Sequence, residues 1–318
     1  MKRILKSFQF FVNTIIISIL MVAAFVSMVL IIVPDIINKL DSETLTSSII
    51  GALMITIISI FIFGIIVKKS NAGGIISIAW LSLSFYGLQT LIGHIDAVVF
   101  YSPLGKYIGS GSLIQSSIPL SWLLYSFVIG IPVAIIIVPL TFLLHGKIKM
   151  DKTIQKSIIW PKMDKKQWLQ KIAAIIIIYE SIYFLFGYFI AWQNPEVREF
   201  YQGIDHGSFF AQMKFIISET PLLIVVQVFR SILWIIIVLP VISIFKDRVK
   251  LGALLTAALL AAPWINIFIF MPGLVPVEVG MTHLIEVTIS NFIFGFILFW
   301  LLHRRHESLT DLFAIKAK

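Results

Sequence analysis

The chain has 318 residues, a formal net charge of +9, 59% apolar residues and only 13% charged ones, with a mean hydropathy of +0.99. A soluble globular chain carries about 25% charged residues, and an apolar excess of this size is more than one folded core can hide from water. That excludes a soluble enzyme, a nucleic-acid-binding module and a disordered chain, while the absence of cysteine removes disulfides, thiolate metal sites, iron–sulfur clusters and cysteine nucleophiles.

A membrane-spanning helix needs about 20 predominantly apolar residues. Eight segments meet that need, at 8–33, 47–67, 74–97, 118–144, 172–193, 221–245, 251–271 and 282–302. The first follows Lys2, Arg3 and Lys6 as a signal peptide would, but its apolar run is too long and lacks a small-residue cleavage site. The expectation is an all-α polytopic membrane protein with eight transmembrane helices in a single membrane domain over 1–318.

Lys and Arg set the orientation. With the N-terminus inside, the inner segments hold Lys2, Arg3 and Lys6, then Lys68 and Lys69, and then eight lysines from Lys147 to Lys171. Lys246, Arg248, Lys250, Arg304, Arg305, Lys316 and Lys318 follow on the same side. The outer segments hold only Lys39, Lys106, Arg198 and Lys214. This asymmetry predicts both termini in the cytoplasm of a cell-membrane protein, and it accounts for the positive charge without nucleic acid. The basic loop 146–171 also holds Ile158, Ile159, Trp160 and Trp168, a mixture suited either to an ordinary inner loop or to contact with anionic lipid. The outer loops are acidic, with Asp35, Asp41, Glu43, Asp96, Glu196, Glu199, Asp205, Glu219 and Glu278. Within the loop 194–220, the stretch from His206 is apolar enough for a short interfacial helix.

Spans 4 and 6 share Ile135-Ile-Ile-Val-Pro139 and Ile235-Ile-Ile-Val-Leu-Pro240, each followed by a basic end. They suggest duplicated hairpins, as some transporters have, although this composition also produces such likeness by chance. Pro132, Pro139, Pro240 and Pro263 are expected to lie inside helices, where neighbouring groups satisfy the freed carbonyls.

Ionisable groups inside a span are costly and normally face protein or water. Span 3 carries Ser82, Tyr86, Gln89, Gly93 and Asp96 as one stripe, with His94 beside it. Span 5 carries Glu180, with Tyr183 and Gly187 on its face; span 6 carries Arg230 with Gln227, Ser231 and Trp234; span 8 carries His283, Glu286 and Ser290, with Asn291 turned aside. At 1.5 Å per residue, Arg230 lies about 14 Å deep, between Glu180 and Glu286. These carboxylates are its expected partners. A simple Arg–Glu pair can also serve only to fix the register of a bundle.

His283 and Glu286 have the spacing of two metal ligands, with His94, Asp96 or His206 to supply a third. No His-Glu-x-x-His is present, so neither metal nor another cofactor is expected. Intramembrane aspartyl chemistry would need two facing aspartates, and no elbow motif marks a serine nucleophile. Gly109-Ser-Gly-Ser does not follow the phosphate-loop pattern.

Two stretches, Tyr183-Phe-Leu-Phe-Gly-Tyr-Phe-Ile-Ala-Trp-Gln-Asn-Pro-Glu-Val-Arg-Glu-Phe-Tyr201 and Met271-Pro through His283-Leu-Ile-Glu286 to Gly295, resemble uncharacterised bacterial multi-pass membrane proteins. The resemblance covers spans 5–8 and brings no activity with it. The expected function is therefore that of a transporter or permease, with an outward-facing polar cavity built on Glu180, Gln227, Arg230, His283, Glu286, Asn291 and Gln89. The alternatives are a membrane-embedded enzyme acting on a lipid or lipid-linked substrate at the outer leaflet, and a structural or accessory subunit.

Overall fold

A computed structural model describes residues 2–32, 42–101, 120–148, 161–201, 203–245, 248–270, 276–308 and 311. Every regular element among them is helical: α1 (Lys2–Ile32), α2 (Ser42–Lys69), α3 (Gly74–Tyr86), α4 (Ile92–Tyr101), α5 (Leu120–Leu144), α6 (Lys165–Phe186), α7 (Pro195–Phe200), α8 (Phe209–Glu219), α9 (Pro221–Ser243), α10 (Val249–Phe270) and α11 (Val277–Leu302). A π turn, Gly87–Leu91, joins α3 to α4, and a second, Gly187–Ala191, continues α6.

The long helices occupy all eight apolar segments of the sequence. Six stretches are long and apolar enough to cross a membrane: Ser7–Ile31, Gly74–Phe100, Leu124–Leu144, Lys165–Ala191, Pro221–Ser243 and Val277–Leu302. Val249–Ile265 is a shorter apolar helix. The chain is therefore an all-helical, multi-pass membrane protein.

One difference concerns the basic loop. Asp164 caps α6 by accepting the Gln167 amide at 2.8 Å, so the helix starts seven residues before the apolar run. Lys165, Lys166 and Lys171 consequently ride on a helix, and Trp168 packs against the core. Residues 149–160, including Ile158, Ile159 and Trp160, lie outside the described residues, as do 102–119 and the Gly109 stretch. In the loop 194–220 the expected short helix is α8, preceded by α7. Asn194 caps α7 through the Glu196 amide, and Ser208 caps α8 through the Ala211 amide. Gly207 holds φ at +78°, which opens the turn into α8.

The long helices close into a circuit: α10 packs on α2, α2 on α1, α1 on α5, α5 on α3, α3 on α9, α9 on α6, α6 on α11, and α11 back on α10. Helix α9 also touches α8, α10 and α11, whereas α5 touches α2 and α4 besides α1 and α3, so the two helices that share the Ile-Ile-Ile-Val motif have α3 in common and otherwise different neighbours. Pro132, Pro139, Pro240 and Pro263 all lie inside helices, as expected.

At one end of the bundle, cations and amides satisfy the carbonyls that helix C-termini leave unpaired. Arg248 donates to the Lys69 carbonyl at 2.8 Å, Asn13 to the Leu144 carbonyl at 3.0 Å, and Lys171 to those of Leu301 and Arg304. Gln167 donates to the His306 carbonyl. These contacts gather the C-termini of α2, α5 and α11 and the N-terminal parts of α1 and α6 at one basic end. The helices therefore alternate in direction along the chain.

The most extensive interface, α10 on α11, needs a glycine. A Cβ on Gly295 would stand 2.9 Å from the Ala257 Cα, a backbone atom that cannot swing aside. Gly295→Val should cost about 1–3 kcal/mol of stability through overpacking, read as a fall in melting temperature. Gly93→Ala, with nothing within 4 Å of the added atom, should be close to neutral.

At the basic end, burial, and then the Lys171 and Arg304 cations, push the His306 imidazole down from 6.5 to about 4. The neutral ring is the form the fold accommodates. Its contribution is full above pH 6.5 and is lost as the pH falls through 4. His306→Gln should therefore show a shallower loss of melting temperature than the native chain over that window.

Candidate functional site

The sequence of α9 sets the site. Pro221 opens the helix at its first turn, and Gln227, Arg230, Ser231 and Trp234 then fall on one face by the helical repeat. All four are buried, with Arg230 only 4% exposed. A guanidinium with no partner at this depth would cost several kcal/mol.

The partner is Asp96. Arg230 Nη2 donates to Asp96 Oδ2 at 2.8 Å, and Nη1 donates to Gln227 Oε1 at 2.7 Å. The guanidinium carbon stands 5.8 Å from the centre of the Tyr179 ring, a cation–π contact. The expected partners, Glu180 and Glu286, are thus corrected to Asp96. Glu286 is engaged by His283 on its own helix, and neither Glu180 oxygen has a hydrogen-bond partner in the protein. Asp96 stands on α4, beyond the π turn. The extra residue in that turn breaks the straight stripe read from the sequence: of Ser82, Tyr86, Gln89, Gly93 and Asp96, only Asp96 reaches the cavity.

A second polar group comes from α11. His283 Nδ1 lies 2.7 Å from Glu286 Oε2, and the Tyr201 hydroxyl lies 3.1 Å from His283 Nε2. An ionised carboxylate only accepts, so Nδ1 is the donor to it, and in the neutral tautomer Nε2 accepts from the phenol. The result is a carboxylate–imidazole–phenol chain. The segment that supplies Tyr201 is tied down by the Asn194 amide on Thr282 Oγ1 at 2.7 Å and by the Trp192 indole on the Ile204 carbonyl at 3.2 Å.

Both groups line one cavity of about 510 Å³, well within the size of small-molecule sites. Its walls come from α4, α6, α9, α10 and α11, and from the α7–α8 segment. Helix α8 turns Gln212 and Ile216 inward and leaves Phe210 and Ile217 exposed. Of the seven residues on which the cavity was expected to be built, Arg230, His283, Glu286 and Asn291 line it. Gln227 stands behind Arg230 as its second acceptor. Glu180 and Gln89 are not among the lining residues.

The metal set His94, Asp96, His283 and Glu286 is not drawn together as ligands. His94 Nδ1 bonds the Thr90 carbonyl at 2.6 Å, Asp96 faces Arg230, and His206 stacks on Phe215. Among the described residues, no group of three or more His, Asp or Glu side chains is placed to hold a metal ion. Sequence reasoning missed Tyr201, which caps the short helix α7 and reaches His283 across 82 positions. It also missed Asp96 as a charge partner, although the stripe on span 3 had pointed to it.

No family model, curated protein or solved structure matches the chain.

Removing one member of a buried ion pair leaves the other unpaired, at a cost of about 3–5 kcal/mol. Asp96→Asn and Arg230→Gln should each lower the melting temperature sharply. The double variant should be more stable than the sum of the single losses allows, as a double-mutant cycle would show.

Proposed function

We propose that the chain crosses the cell membrane eight times with both termini inside, and that it is a transporter or permease whose cavity opens toward the outer leaflet. The observation that carries the reading is a cavity lined both by an Arg–carboxylate pair and by a carboxylate–imidazole–phenol chain. Ionisable groups inside spans usually mark substrate or proton pathways. The orientation follows the basic end, where Lys69, Lys171, Arg248 and Arg304 gather and would meet the anionic inner leaflet; the crossings of α2 and α10 follow from the same alternation. The cavity residues His283 and Glu286 lie near the opposite end of α11 from that cluster.

In this reading, the Arg230–Asp96 pair polarises one wall of the cavity while the His283–Glu286 pair gains or loses a proton as the occupant enters or leaves. The second reading is an enzyme on a lipid or lipid-linked substrate at the outer leaflet. It is favoured by the order Glu286–His283–Tyr201, which matches the way an imidazole held by a carboxylate handles a hydroxyl proton.

Proteoliposomes carrying a lumenal pH dye separate the two. Adding members of a panel of amphiphilic amines, alcohols and acids should move protons for at least one compound, and Glu286→Gln should abolish that movement without loss of folded protein. No proton movement for any compound, together with new lipid products in the same vesicles by mass spectrometry, contradicts transport and favours the enzyme.

A further inference from the structure

We infer that the occupant of the cavity is an amphiphile whose headgroup is a cationic, hydrogen-bond-donating nitrogen, an alkylammonium, and that anionic headgroups are rejected. This rests on the reading of the cavity as a binding site. Three observations point to it.

The first is the charge of the walls. The Arg230 guanidinium is matched by Asp96 at 2.8 Å and by the Gln227 amide oxygen. Among the described lining residues there is no Lys and no second Arg. Asp96 and Glu286 are two lining carboxylates against the one guanidinium of Arg230. A phosphate or sulfate headgroup would meet Asp96 and Glu286 with no cation free to pair with it, whereas an ammonium would balance the site.

The second is hydrogen bonding. Asn291 and Gln212 line the cavity and are each 7% exposed. Asn291 Oδ1 and Gln212 Oε1 have no partner in the protein, and neither has Asp96 Oδ1. The Asn291 amide nitrogen is already committed to the Val287 carbonyl at 2.8 Å, which leaves that oxygen as the free end. Buried acceptors without donors are costly, and a headgroup with several N–H bonds supplies them. The Arg230 Nε and Trp264 Nε1 donors are also unpartnered. The first belongs to a guanidinium already neutralised. The second sits on an aromatic wall with Tyr179, Tyr183 and Phe294, whose ring faces attract a cation.

The third is the approach. Glu196, Glu199, Asp205, Glu219 and Glu278 stand on the segments that roof the cavity, against Lys214 and Arg198, the latter 4.0 Å from Asp205. Such a rim steers cations inward, and the apolar remainder of the cavity suits an alkyl chain.

The test uses the full chain in phosphatidylcholine nanodiscs, titrated with dodecylammonium, dodecyltrimethylammonium and dodecyl phosphate, with empty nanodiscs subtracted. Dodecylammonium should bind saturably. Dodecyltrimethylammonium, which has the charge but no N–H, should bind about tenfold more weakly, and Asn291→Leu should weaken dodecylammonium by about tenfold. Dodecyl phosphate should show no saturable binding. Should Asn291→Leu fail to fold, the ranking of the three probes on the native chain decides alone. Saturable dodecyl phosphate binding as tight as dodecylammonium overturns the headgroup class while leaving the cavity a binding site. Absence of saturable binding by any probe overturns both.

Discussion

A guanidinium buried at membrane depth cannot stand alone, and the arrangement of the protein's centre follows from that constraint. Desolvating Arg230 is costly, so α9 must face a helix that brings an anion to the same level. Asp96 on α4 does so, and Gln227 one turn away on α9 accepts from the other Nη nitrogen. The pair fixes how α9 meets the α3–α4 rod, and α9 in turn touches α6, α8, α10 and α11. The cavity is the space left beside this pair, where α6, α11 and the α7–α8 roof cannot close further.

The second polar group depends on a local device. The π turn at Gly187–Ala191 continues α6 beside α11, and a Cβ built on Gly187 would lie 3.7 Å from the Glu286 carboxylate, an ordinary contact. Glu286 pairs with His283 on its own helix, and the roof brings the Tyr201 hydroxyl to the other ring nitrogen. Two polar groups of opposite character therefore share one cavity. One is an ion pair; the other is a hydrogen-bonded carboxylate, imidazole and phenol. At the other end of the bundle, polar groups serve the backbone, and the cations sit on helix C-terminal carbonyls, where donors are needed and the helix dipole favours positive charge.

The helices were legible in the sequence because a bilayer demands length and apolarity, and both can be counted. The positions of Arg230, His283, Glu286 and Asn291 on inward faces were legible for the same reason: a polar residue in a span points away from lipid. The partner of Arg230 was not. Depth along the helix axis put Glu180 and Glu286 on either side of it, but depth says nothing about which helices are neighbours, and beyond the π turn at Gly87–Leu91 only Asp96 of its stripe reaches the cavity. Tyr201 was hidden for a different reason. It lies at the end of the short helix α7, and only the capping of α7 by Asn194 and its tie to Thr282 bring it to the site. The start of α6 was read late because apolarity marks where a helix enters lipid, whereas Asp164 marks where it begins.

The state of Asp96 tests the arrangement most directly. Infrared difference spectroscopy of the protein with isotope-labelled aspartate, compared with Asp96→Asn at neutral pH, isolates that carboxyl. An ion pair with Arg230 requires an ionised carboxylate band that disappears in Asp96→Asn and shifts in Arg230→Gln. A protonated carboxyl band at the Asp96 position, unchanged by Arg230→Gln, would contradict it.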